Sequence, residues 1–334
     1  RCHHHPSEKW GQDDYYSMAA FFGSMKRKGQ GISAPISGEP EYWWFQPGGE
    51  VKHPVTEAVM TPKAPAGPEF PEIPDNVDPR RMFVDWAATA ENPFFSKAVV
   101  NRVWGELFGR GIVHPVDDFR ESNPPTNEPL LDWLAADFAK NGFDQKHLLR
   151  TILNSRLYQQ SSMPNEHNLT DTRNFSRSYR RRLPAEVALD ALSDLTGVPE
   201  TFDGLALESR AVQQWNHKLP NDFLDAFGRP NSSAAPPCER DLNSSVVQAL
   251  HMMNSKGLQR KLSGEGNGWF KGLAESQSAE KVVEDIYLAL YARFPNEGEK
   301  QIAVGFVEKA ENKREAAEDL FWSLLNTAEF VFNH

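Results

Sequence analysis

Asn92-Pro93-Phe94-Phe95-Ser96-Lys97-Ala98-Val99-Val100-Asn101-Arg102-Val103-Trp104-Gly105-Glu106-Leu107-Phe108-Gly109 is the stretch whose reading decides the fold. Ala98, Val99, Arg102, Val103 and Leu107 recur at three- and four-residue steps, so the spacing predicts a helix over 93–107 with these residues on one face. Proline is tolerated in a first helical turn, and Gly109 or Gly111 supplies the stop. The same grammar repeats downstream. Asn127 reads as the cap of a helix carrying Leu130, Leu131, Leu134 and Phe138 and ending at Gly142. Asp144 opens another with Leu148, Leu149, Ile152 and Leu153, and a further one runs from Pro184 to Gly197. Helices are also predicted over 245–254, 278–291, 297–311 and 313–328. Upstream, Tyr15, Met18, Ala19, Phe22 and Met25 place a helix over 12–25 with Asp13 and Asp14 in its first turn. The expected fold is mainly α, an irregular multi-helix bundle. Its long loops fall near 110–126, 159–180, 198–220 and 228–244, where sites usually sit.

Near the N-terminus the signal changes. Tyr42-Trp43-Trp44-Phe45, the turn Pro47-Gly48-Gly49, and then Val51, Val55 and Val59 predict a small β-hairpin. Tyr42, Trp43 and Trp44 could stack on sugar rings, but alternating aromatics in a hairpin more often cover a core. Pro62, Pro65, Pro68, Pro71, Pro74 and Pro79 then impose an extended strap. Residues 62–79 thus read as a linker between an N-terminal part, 1–61, and a helical domain, 80–334.

Among 334 residues, 39 % are hydrophobic and 25 % charged, a globular balance in which 9 Trp and 21 Phe supply much of the core. A net charge of −10 argues against nucleic acid, which needs a clustered basic footprint. The run Arg180-Arg181-Arg182 before Pro184 reads as ion-paired or solvated. No stretch of eighteen apolar residues exists in this chain, so no membrane span is expected in it. With only Cys2 and Cys238 there is no disulfide framework.

The start Arg1-Cys2-His3-His4-His5-Pro6 lacks both Met and targeting character, and suggests a piece of a larger protein. Cys2-His3 is the second half of the Cys-x-x-Cys-His pattern that attaches haem c, in which thiols bond the porphyrin and the adjacent imidazole meets the iron. His3 and His5, two apart, project to one side of an extended segment and could grip one metal, with Asp13 or Asp14 completing the set. The third reading is an exposed histidine cluster with no ligand.

Elsewhere, Asp117-Asp118-Phe119-Arg120-Glu121 offers carboxylates for calcium or acid–base work, with arginine pairing or capping as the rival reading. Arg102, on an apolar face, calls for a buried carboxylate such as Asp118 or Glu186. His251 beside Met252 and Met253 reads as core or interface, and Cys238 as a loop thiol. Asn168-Leu169-Thr170 and Asn174-Phe175-Ser176 match the glycosylation acceptor pattern, a weak signal. No nucleophile elbow, phosphate loop, dinucleotide fingerprint or zincin helix occurs.

Several ordered blocks carry a resemblance. They are residues 92–104, 108–113, 116–120, Asn123-Pro124-Pro125, 148–158, Arg182-Leu183-Pro184-Ala185-Glu186, Phe227-Gly228-Arg229-Pro230, Cys238-Glu239-Arg240 and the ending 324–334. From about residue 75 onward the chain resembles the planctomycete PSD-one domain of unknown function, numbered fifteen fifty-three. Cys2-His3-His4-His5 through Asp14-Tyr15-Tyr16 and Phe21-Phe22 make residues 1–61 look like the C-terminal tail of its habitual upstream neighbour, the cytochrome-associated domain numbered fifteen forty-nine. That resemblance implies a further Cys just ahead of Arg1 and haem c in the full-length protein. Cys2 would be a thioether donor, His3 the proximal ligand, and His5 distal or beside it. Family members often carry Cys-x-Cys-Glu-Arg where this chain has Pro236-Pro237-Cys238-Glu239-Arg240, so a two-thiol role is lost there.

The resulting expectation is a haem c-associated redox or electron-transfer module, placed in the periplasm or at the cell surface because haem c is attached there. Its partners would be upstream domains of the same polypeptide and a redox protein or a glycan. Two alternatives stand beside it. One is a surface structural or carbohydrate-interaction module without catalysis. The other is a metal-dependent hydrolase using His3 and His5.

Overall fold

A computed structural model of the chain describes residues 9–29, 41–74, 76–92, 94–214, 220–229, 246–263 and 278–333. The fold is mainly α with one small antiparallel hairpin near the N-terminus. The chain divides into two compact units, Arg1–Tyr179 and Arg180–His334. The proline-rich stretch lies inside the first.

The first unit contains helix α1 (Gln12–Ala20), strands β1 (Met25–Gly29) and β2 (Glu41–Phe45), and helices α2 (Pro79–Ala87), α3 (Phe95–Phe108), α4 (Glu128–Lys140) and α5 (Gln145–Leu153). Local chemistry sets the helix ends. Asn127 Oδ1 accepts from Leu130 N–H at 3.1 Å, and Asp144 Oδ1 accepts from Lys146 and His147 N–H, so both predicted caps form. Gly109 closes α3 in the left-handed region at φ 75°.

The buried face of α3 is rotated from the predicted one. Val100, Trp104 and Phe108 point inward and meet Leu131, Leu134 and Phe138 of α4 and Leu148 and Ile152 of α5. Val99, Val103 and Leu107 flank that core half-buried, and Arg102 is exposed. Trp104 stacks on Phe108 with centroids 4.2 Å apart, and the larger aromatic area takes the interior. Asn101, polar yet fully buried, tips the helix the same way by bonding the loop that follows.

The hairpin also differs from its prediction. β2 pairs with β1, Met25 opposite Phe45 and Lys28 opposite Tyr42, and not with the valine-bearing segment. That segment makes one isolated bridge, Lys52 to Val59. Helix α1 stops at Ala20, and Met25 begins a strand. Lys26-Arg27-Lys28 shows no apolar alternation, which hides the strand from pattern reading. Tyr42, Trp43 and Trp44 are 55 %, 56 % and 44 % exposed, so they do not cover a core. In the proline-rich stretch Ala64 is buried and the Phe70 ring meets Phe21 at 5.6 Å.

The loop 159–180 is tied by one carboxylate. Asp171 Oδ1 accepts from Arg173 and Asn174 N–H, while Oδ2 accepts from Ser176 N–H, Ser176 Oγ and Tyr179 Oη. Burial pushes this carboxyl up, but the bonds from Ser176, Arg173 and Asn174 outweigh it and hold the group far below the usual carboxylate range.

The second unit begins with β3 (Arg181–Arg182) and α6 (Ala185–Thr196), then a 3-10 turn (Ala211–Gln213), α7 (Asp222–Ala226), α8 (Val246–Asn254) and α9 (Lys256–Leu262). It ends with α10 (Ala279–Tyr291), α11 (Glu297–Lys309), α12 (Lys313–Leu325), α13 (Ala328–Val331) and β4 (Phe332–Asn333). β3 pairs with β4, joining the two ends of the unit. The core gathers Leu189, Leu192, Phe223, Leu224, Ile286 and Phe321. Arg293 ties α10, α11 and α13: its guanidinium bonds Glu299 at 2.8 and 2.9 Å and Glu329 at 2.6 and 2.8 Å, over the rings of Tyr287 and Tyr291.

Candidate functional site

Helices α6 to α9 of the second unit, with Glu200, Thr201, Pro220 and Asn221 from the loops between them, line a half-open cavity of about 680 Å³. That volume falls within the roughly 300–1,000 Å³ typical of small-molecule sites. Leu189, Leu192, Phe223 and Leu258 give its apolar lining, and Glu200, Asn221, His251 and Lys261 are among its polar groups.

Three of these polar groups are fixed in place. Lys261 is buried, and its Nζ donates to Val198 O at 2.7 Å and Ser193 Oγ at 3.2 Å and pairs with Glu200 Oε2 at 3.1 Å. Asn221 Nδ2 donates to Glu200 Oε1 at 3.4 Å, while Asn221 Oδ1 caps α7 through Leu224 N–H. With every ammonium proton directed to an acceptor, the lysine acts as a rigid strut and orients Glu200 at the cavity wall.

His251 differs. Its ring stands edge-on to Phe223 at 5.6 Å and Phe227 at 6.1 Å, and among the described residues neither ring nitrogen has a hydrogen-bond partner. Burial lowers its pKa, against a smaller opposing pull from Asp222. At neutral pH the imidazole is therefore uncharged, with one nitrogen to donate and one to accept. Sequence reading placed His251 in a core or interface. The ring is half-buried and lines the cavity instead. Glu200, Asn221 and Lys261 were not legible as a site, because the contacts joining them span 21 and 61 residues.

The other candidates resolve differently. Cys2, His3, His5 and Cys238 lie outside the described residues. Asp14, considered as a ligand beside His3 and His5, bonds Gly11 N–H at 2.8 Å, and Asp13 faces His53 Nε2 at 3.4 Å. His53 itself is buried, and its Nδ1 accepts from Val55 and Thr56 N–H. Among the described residues no group of three or more His, Cys, Asp or Glu is placed to hold a metal ion.

Arg102 pairs with Asp117 and not with the expected Asp118. Its Nε and Nη2 meet Asp117 at 2.8 and 2.7 Å, with both side chains about half exposed, so no buried carboxylate is needed. Asp118 pairs with Arg120 and accepts from Asn123, leaving the acidic loop ion-paired. Arg182, from the run read as ion-paired or solvated, is buried and donates to Phe227 O at 3.0 Å while lying over the Phe227 ring. No described helix is long and apolar enough to cross a membrane.

Residues 79–307 match the family described as "Protein of unknown function (DUF1553)". The chain belongs to this family. The match takes in α2 through most of α11, and so includes the cavity and every helix that lines it. No curated protein and no solved structure matches the chain.

Proposed function

We propose that the DUF1553 domain is a binding module whose cavity takes a small, neutral, hydroxyl-rich molecule, a sugar unit being the chemistry that fits best. The observation that carries this reading is the uncharged, unbonded imidazole of His251 facing a cavity of about 680 Å³ in which Glu200, Asn221 and Lys261 are held in place. Hydroxyls both donate and accept, which matches a neutral imidazole and an amide that do both and a lysine-paired carboxylate that accepts. Phe223 and the leucines offer apolar surface for the C–H face of a ring. Charges of both signs line it, Glu200 and Asp222 beside Lys256, Arg260 and Lys261, so the lining does not select a strongly charged ligand. The reading belongs to the carbohydrate-interaction class and needs no chemical step.

Saturation-transfer NMR on the full chain with a panel of neutral mono- and disaccharides tests this. Saturable binding that weakens at least tenfold in His251→Ala and Asn221→Ala supports it. Folded protein that binds none of the panel, or binds equally well with both variants, overturns it.

A second reading rests on Cys2-His3. In the full-length protein this pair would supply one thioether donor and the axial imidazole of a haem c, with His5 beside it, in the periplasm or at the cell surface. Bound haem would give the protein a one-electron carrier. Cys2 would tether the haem through a thioether, and His3 would ligate its iron. Expression of the full-length protein in a host with haem c maturation, followed by a reduced absorption spectrum, decides it. A haem-free product removes the reading, as does a Cys2→Ser variant with an unchanged spectrum.

A further inference from the structure

The β1–β2 ribbon places three cationic side chains in register with three aromatic ones: Lys26 faces Trp44, Arg27 faces Trp43 and Lys28 faces Tyr42. Residues directly opposite in an antiparallel pair share a face, and successive residues alternate faces. Lys26, Trp44, Lys28 and Tyr42 therefore stand on one side, and Arg27 and Trp43 on the other. All six are exposed, the aromatics by 44 to 56 %. The Arg27 guanidinium lies 5.6 Å from the Trp43 ring centroid, so a positive charge stands over a half-exposed indole.

An amphipathic hairpin buries one of its faces. This ribbon leaves indoles on both, and adds a cation to each.

We propose that the β1–β2 ribbon binds an acidic glycan chain, its sugar rings stacking on Trp43 and Trp44 and its sparse carboxylate or sulfate groups meeting Lys26, Arg27 and Lys28. Charge complementarity and ring geometry together select this occupant. A flat anionic membrane can engage only one face of a two-stranded ribbon, which would leave half of these residues unused. A nucleic acid needs a broad basic footprint, and three cations on a chain of net charge −10 do not supply one. A flexible polymer with rings at every step and a charge at every second one matches both faces. This surface belongs to the first unit and is independent of the cavity in the second, so either proposal can fail alone.

The test uses the full chain and hyaluronan, with one carboxylate per disaccharide, as probe. Dextran, oligothymidylate and phosphatidylcholine–phosphatidylglycerol vesicles are run in parallel, with binding followed by affinity electrophoresis and tryptophan fluorescence. Hyaluronan is expected to bind at least tenfold tighter than dextran and to be preferred over the oligonucleotide and the vesicles. Trp43→Ala and the pair Lys26→Gln, Lys28→Gln should each weaken it about tenfold, whereas Lys26→Arg should keep it. Circular dichroism melts confirm that each variant is folded. Equal binding of dextran and hyaluronan overturns the proposal, as does indifference to the folded variants. Preferential retention of the oligonucleotide or the vesicles overturns the glycan assignment.

Discussion

Asn101 and Val113 form a reciprocal pair: the Asn101 carboxamide accepts from Val113 N–H at 2.9 Å and donates back to Val113 O at 2.9 Å. The side chain thus acts as a short piece of β-ladder, and its Nδ2 also reaches Val116 O at 2.7 Å. A fully buried amide is tolerable only because all of these bonds are made. A Cβ at Gly111 would strike this carboxamide and the Val113 carbonyl, which is why the chain turns on a glycine there. Asn101→Ala should therefore cost about 2 to 4 kcal/mol, the desolvation penalty of the backbone groups left unbonded. Urea midpoints measure it, and a change within 0.5 kcal/mol (roughly the scatter expected of surface substitutions) would contradict the assignment.

Ala292 ends α10 at φ 53°, in the left-handed region, without the freedom of glycine. Placing a Cβ there costs roughly 1 to 2 kcal/mol. Ala292→Gly should raise the melting temperature by a few degrees, and a fall would show that Cβ contacts outweigh the backbone term.

Arg293 holds the Glu299 carboxyl below its ordinary range, chiefly through their side-chain hydrogen bond. A depressed carboxylate contributes stability that is fully present above the unfolded pKa, near 4.5, and is lost as pH falls through the lower folded value. The stability gap between wild type and Arg293→Gln should be full at neutral pH, begin to close below about pH 4.5 and shrink further in stronger acid. Chemical denaturation across that range checks it, and a gap independent of pH would contradict the pairing.

His251 has the same sign of pH dependence as Glu299, at higher pH. Its folded pKa lies below the ordinary 6.5, so the unfolded chain binds the proton first. Stability should fall as pH drops below about 6.5 and level off once the folded imidazole also protonates. His251→Gln should remove that part of the slope. An unaltered slope would place the titration elsewhere.

Much of the helical fold was legible. The caps at Asn127 and Asp144 and the glycine stop at Gly109 are local chemistry, and they form where the pattern puts them. What failed depended on competition between faces. On α3, Val99 and Val103 fit the helical period as well as Val100 and Trp104 do, and only packing against α4 and α5 decides between them. The short helices α7, α9 and α13 carry too few turns for a period to show. The cavity was hidden for the reason noted at Lys261: its ammonium meets Ser193 and Val198 across more than sixty residues of chain, a distance no spacing rule spans. Asp117 captured Arg102 over Asp118 through loop geometry, which a run of four charged residues does not specify.

The central claim is that the His251 cavity is a ligand site. Its most direct measurement is the imidazole resonance of His251, followed by ¹H–¹³C NMR at pH 7 while the best-binding neutral sugar is titrated into the full chain. The account predicts a saturable shift of His251, together with Asn221 side-chain signals, and no such shift in Asn221→Ala. A sugar that saturates the protein while the His251 signal stays still would contradict it.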